Sequence, residues 1–142
     1  MENSNSSIVR IGVVGYSSPD FNKIQAYNIL LATITSFINS GKSNLEIVSG
    51  YTNFGMPAIA YEIAKQLQLK TAGVACRKAE EFECYPCDRV QIVGSKWGDE
   101  SSVFLKQLDI LIHVGGGDQS LAECQAFKKT GKPLYEFELE AI

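Results

Sequence analysis

Two kinds of hydrophobic pattern alternate along the chain. Short β-branched runs closed by glycine or polar residues are separated by longer stretches whose apolar positions recur every three or four residues. Ile8–Gly15, Leu45–Ser49, Thr71–Ala75, Arg89–Val93, Asp109–Val114 and Pro133–Glu138 read as six strands. A first helix is expected from Ser18-Pro19-Asp20, with Pro19 at the first helical position, to Gly41. Others are expected over Met56–Leu67, Ser101–Leu108 and Ser120–Thr130, the last stopped by Gly131 and capped by Asp118 or Ser120. Ile24, Tyr27, Leu31, Ile34 and Ile38 predict the buried face of the first helix, and Ile59, Ile63 and Leu67 that of the second. Cys76–Asp88 lacks any such period and is the longest irregular segment.

Strands that are apolar throughout belong to a parallel sheet covered on both faces. Right-handed crossovers then narrow the α/β topology to a doubly wound, Rossmann-like sandwich, mostly parallel, with helices on both faces. The 142 residues suffice for one domain, expected over 8–142 behind a disordered polar tail, 1–7. Met1–Ser7 has neither the basic start nor the apolar core of a signal peptide, and no run is long enough to cross a bilayer. A cytoplasmic protein without a membrane partner is expected.

A net charge of −3 excludes a binder of duplex nucleic acid, which needs a basic stripe to displace counterions. Of the four cysteines, Cys84 and Cys87 have CxxC spacing, but no second pair or histidine cluster completes a zinc set, and the pair precedes a strand rather than a helix. Reduced thiols are expected, with no metal and no resident cofactor. His113, the only histidine, lies inside a strand and reads as a core histidine with its hydrogen bonds met.

In this topology ligands bind beyond the carboxyl ends of the strands, and four segments ending there carry unusual chemistry. They hold Gly15, Ser17 and Ser18; Gly50, Tyr51, Thr52 and Asn53; Gly94 with Lys96 and Trp97; and the turn Gly115-Gly116-Gly117-Asp118-Gln119-Ser120 leading to Glu123. Strand, glycine turn and helix N-terminus together favour a phosphate, because free N–H groups and the helix dipole point at whatever lies above the glycines. Three successive glycines exceed what a turn needs and point to close approach of a ligand. Trp97 and Tyr51 are candidates to stack on a base or to pack beneath a loop, and Lys96 is the nearby cation.

Gly116-Gly117-Asp118-Gln119-Ser120-Leu121-Ala122-Glu123 resembles the GGxGTxxE signature of the SLOG superfamily, which includes the LONELY GUY phosphoribohydrolases. Gly12–Ser18 is similar to that family's first strand and its Gly-Ser-Ser turn, and Ser49–Ala60 to its second-strand loop. The resemblance implies a nucleotide ligand, phosphate on the glycine turn, and an arginine and a glutamate serving the ribose and leaving base. Glu123 stands for that glutamate. Asp99-Glu100-Ser101 stands where the arginine belongs, so a cation has become an anion. The expected function is therefore binding of a nucleotide or ribose phosphate without robust catalysis. The alternatives are a nucleoside 5′-monophosphate phosphoribohydrolase and a nucleoside deoxyribosyltransferase-like enzyme, with Glu123 and Glu100 as candidate catalytic residues. A homodimer is also implied, with the face of the first helix around Tyr27 and Phe37 as its candidate interface.

Overall fold

The computed structural model describes residues 7–17 and 20–141; the tail through residue 6, Ser18 and Pro19 lie outside them. The elements run β1 (Val9–Gly15), α1 (Lys23–Asn39), β2 (Leu45–Ser49), α2 (Gly55–Gln66), β3 (Lys70–Ala75), a 3-10 turn (Arg77–Glu81), β4 (Arg89–Ile92), α3 (Ser101–Lys106), β5 (Ile110–Val114), α4 (Asp118–Lys128) and β6 (Leu134–Phe137). The strands form one six-stranded sheet in the order β4-β3-β2-β1-β5-β6. All five ladders are parallel. This is the Rossmann-like architecture expected from the alternation of apolar runs and periodic stretches.

Side chains alternate across each strand, and each face of the sheet buries its own core. On one face Ile11, Val13, Ile47, Ile110 and Ile112 meet Leu30 and Ile34 of α1 and Ile63 of α2. On the other, Val48, Val74 and Leu111 meet Phe104 of α3 and Phe127 of α4. Helices on both sides leave the ends of the strands as the open part of the molecule.

Three local expectations need correction. First, α1 begins at Lys23, capped by Asn22, whose Oδ1 accepts the Gln25 N–H at 3.1 Å. Second, the buried stripe of α1 is Ala26, Leu30, Ile34 and Phe37, while Ile24 is 77% exposed. α1 carries apolar side chains around much of its circumference, so spacing alone does not single out a face. Phe37 packs edge-on against Tyr135 at 5.3 Å and is buried, and the Tyr27 hydroxyl donates to Gln66 of α2. Both aromatics of the expected dimer face are thus engaged within the chain. Third, α4 starts at Asp118 with Gly117 in the cap position, and neither Asp118 nor Ser120 caps it. Gly41 and Gly131, both at positive φ, follow the ends of α1 and α4 as expected.

One charged group is buried in the sheet. Glu46 of β2 accepts from Arg10 Nε at 2.8 Å and from Arg89 Nη2 at 2.9 Å. Burial raises its pKa, but the hydrogen bonds and charges of Arg89 and then Arg10 outweigh it and hold the carboxyl below its ordinary range. A depressed carboxylate pKa contributes stability above the unfolded value, and that contribution is lost as pH falls through the lowered one. Glu46→Gln is expected to cost about 1–3 kcal/mol at neutral pH, toward the lower end because both guanidinium groups keep contact with solvent. Its urea stability is expected to fall less than the natural protein's on acidification below the unfolded carboxylate range, which parallel melts across that range would show.

Candidate functional site

The strand order reverses at β1 and β5, whose chains leave toward opposite edges of the sheet, and a crevice opens between their carboxyl ends. Small residues let the backbones close up there. A Cβ on Gly15 would lie 2.3 Å from the Val114 oxygen, and one on Gly116 would lie 2.2 Å from Ser120 Oγ. Gly116 also has φ +119, a conformation side chains rarely adopt. A Cβ on Gly115 would strike the Tyr16 ring at 2.5 Å. Gly115 and Gly116 therefore serve the turn itself, and neither lines the crevice. Gly117, which faces open space, does line it. Of the three glycines, Gly117 is the one at the cavity surface.

The crevice holds a cavity of about 700 Å³. Gly15, Tyr16 and Ser17 form one side of its rim, Ser49, Gly50 and Thr52 another, and Gly117, Asp118, Gln119, Ser120 and Glu123 bring in α4. Ser120 donates its hydroxyl to the Gly117 oxygen at 3.0 Å, so no side chain fills the N-terminus of α4. The N–H groups of its first turn have no partner within the helix and no hydrogen-bond partner among the described residues.

Four expected residues turn elsewhere, and Ser18 lies outside the described residues. Tyr51, at φ +76, packs its side chain over Gly73 and gives its N–H to the Tyr61 hydroxyl at 2.9 Å. Asn53 donates its side-chain amide to Glu83 Oε2 at 2.7 Å. Gly94, at φ +75, makes room for Asp99, whose carboxylate accepts the Ser95 and Lys96 N–H groups at 3.0 Å each. These N–H donors hold the Asp99 carboxyl below its usual range. Lys96 does not line the cavity.

Glu100 and Glu123 both line the cavity and are joined through Gln119. Gln119 donates from Nε2 to Glu100 Oε2 at 3.1 Å and to Glu123 Oε2 at 3.4 Å. Ser101 Oγ donates to Glu123 Oε2 at 2.7 Å, and the Gly98 N–H to Glu100 Oε1 at 3.0 Å. Both carboxyls are more than nine-tenths buried. Burial, assisted by the charge of Glu100, raises the Glu123 pKa against the hydrogen bonds of Ser101 and Gln119. An amide thus tethers two acids where a guanidinium was expected. Glu100 occupies the position before α3 without capping it by its side chain.

Phe82, on one wall, escaped the sequence reading. The segment 76–88 folds over the β2–α2 loop, where Thr52 and Cys84 form an antiparallel bridge and the Tyr85 N–H donates to the Tyr51 oxygen at 2.8 Å. This brings Phe82 to the cavity beside Phe54, their centroids 5.5 Å apart, and Phe82 lies 6.3 Å from the ring of Trp97. Phe82 and Trp97 are each about half exposed, their rings tilted 41° to each other at the cavity mouth. Aromatic residues in otherwise polar, glycine-rich loops were the available signal. Cys84 and Cys87 are free, and burial pushes both thiols up, so neither is activated.

No protein-family model matches the chain, and no curated protein does. Solved structures do resemble it. The molybdenum cofactor carrier protein MCP from Chlamydomonas reinhardtii superposes with a TM-score of 0.72 at 22% identity, over 92% of this chain and 76% of that one. The molybdenum cofactor binding protein from the phototrophic bacterium Rippkaea orientalis gives 0.70 at 19%, over 94% and 77%. TM1055, a structural genomics target, gives 0.71 at 19%, over 89% and 72%. At these identities the likeness shows the fold, which agrees with the sheet order described above.

Proposed function

We propose that the chain is a SLOG-type protein that binds a phosphorylated nucleoside, or a related ribose phosphate, in the cavity between β1 and β5 and does not break it down. The observation that carries this reading is the pairing of two surfaces around one space. Gly117 and the uncapped N-terminus of α4 present donors to a phosphate on one side. Phe82 and Trp97 present ring faces to a base on the other. About 700 Å³ is the size of pocket that encloses a ligand of this class. The absence of a cation from the cavity lining, where Glu100 stands instead, argues against the phosphoribohydrolase chemistry. Carrying or binding a cofactor, as the names of two similar folds describe, likewise breaks no bond in the ligand.

Thermal-shift titration with AMP, ADP-ribose, NAD, cyclic nucleotides and molybdenum cofactor tests the reading. A true ligand at about 100 times its Kd adds about 2.7 kcal/mol. A flat response across the panel would remove the proposal. The natural protein is expected to release no base from AMP.

The burial of Glu123 favours a second reading, an N-glycosidic hydrolase. A carboxyl with a raised pKa in a cleft suits proton transfer to a leaving base. On that reading base release is measurable, and Glu123→Gln lowers it by about 10²–10⁴-fold while binding survives.

A further inference from the structure

The lone histidine does not behave as a satisfied core residue. His113 of β5 is largely buried, and its Nε2 has no hydrogen-bond partner among the described residues. Its Nδ1 faces Glu136 Oε2 at 3.7 Å, too far for a hydrogen bond. Glu136 lies directly across the ladder on β6, because His113 pairs in register with it. Cys124 of α4 closes the group from above the sheet, almost fully buried. A ring nitrogen of His113, the Cys124 sulfur and a Glu136 oxygen all lie within 4.8 Å of one another.

We propose that His113, Cys124 and Glu136 form a binding site for a zinc-class divalent cation, separate from the cavity and independent of what fills it. The donor set of imidazole, thiolate and carboxylate matches zinc in type, and three protein ligands leave a fourth position for water. A tetrahedral ion at bond lengths of about 2.0–2.3 Å holds its ligands about 3.3–3.8 Å apart, so the group needs to contract by about 1 Å. Glu136 is half-exposed and gives an ion a way in. Its other oxygen faces Lys128 Nζ at 3.4 Å, which leaves Oε2 for the metal. Binding forms a metal–sulfur bond in place of the Cys124 S–H bond and releases that proton to solvent.

Cobalt(II) is the probe, because a cobalt–thiolate pair gives a near-ultraviolet charge-transfer band that oxygen and nitrogen ligands alone do not. Titration of the full chain, reduced and stripped with a chelator, is expected to give that band at one cobalt per chain, and zinc is expected to displace it. Glu136→Gln, at a half-exposed position, is expected to weaken binding at least 10-fold. His113→Leu is expected to abolish the site while leaving the metal-free protein as stable as before or more so. The double variant Cys84→Ser/Cys87→Ser is expected to keep the band at full intensity. No thiolate band in the natural protein, a band unchanged in both Glu136→Gln and His113→Leu, or a band lost with Cys84 and Cys87 would each overturn the proposal.

Discussion

Alanine at both Phe82 and Trp97 is expected to weaken the nucleotide that gives the largest thermal shift by about 100-fold, or about 2.7 kcal/mol. Stacking of a base on an aromatic side chain is worth about 1–3 kcal/mol, and here two ring faces line one mouth. The rings are about half exposed, so their removal leaves both cores intact and the melting temperature of the unliganded chain little changed. That separates a lost contact from a lost fold. Salt dependence gives a second readout: the phosphate side of the site is untouched, so the response of affinity to ionic strength is expected to be the same in variant and natural protein. Unchanged affinity in the double variant would show that the base does not lie on this wall.

Phe127→Ala is expected to cost about 3–5 kcal/mol and to lower Tm by about 10–15 °C in a calorimetric scan. Phe127 is fully buried on α4, packed into the second core with Leu108, Leu111 and Cys124. Truncation leaves a cavity of ring size between helix and sheet, and close-packed surroundings relax only in part to fill it. α4 also brings Gln119 and Glu123 to the site; Glu123 lies one turn before Phe127, but Gln119 and the first-turn N–H groups proposed to hold the phosphate lie about two turns away, at its other end. The ligand's stabilising increment, measured as the difference between liganded and free melts, is therefore expected to persist. A loss below about 1 kcal/mol would mean that α4 repacks more freely than its burial implies.

The strands were the most legible part of the chain. Leu45–Ser49 is buried at every position, and a strand covered on both faces has no reason to alternate. Right-handed crossovers narrowed the topology to a doubly wound sheet, but the order β4-β3-β2-β1-β5-β6 was not readable, because it depends on contacts between distant segments. Helix faces were less legible. Ala26 is wholly buried and Ile24 is not, because burial follows position over the sheet rather than the side chain's own hydrophobicity. Capping misled for a similar reason. Asp118 and Ser120 are good caps in isolation, yet Ser120 donates to Gly117 and leaves the helix end uncapped. Around the cavity, Gly15, Ser17, Gly50, Thr52, Gly117, Asp118, Gln119, Ser120 and Glu123 were readable as glycine, hydroxyl, amide and carboxyl groups following strand ends. Of the aromatic wall Trp97 was readable and Phe82 was not, because Phe82 reaches the cavity through the fold of segment 76–88 over the β2–α2 loop, which the Thr52–Cys84 bridge marks, a pairing between segments without apolar period.

The sheet ends on both sides in strands of four residues, β4 and β6. Each offers a free backbone edge to any passing extended chain, and long, flat, apolar edges are where proteins begin to aggregate. Here the invitation is short. A strand added to either edge would find about half the hydrogen-bonding length of a typical zipper segment. On β4 it would run alongside Arg89, and on β6 it would meet Glu136 just after Pro133, which has no N–H to give. The same brevity leaves a neighbouring chain little backbone on which to start a fibre.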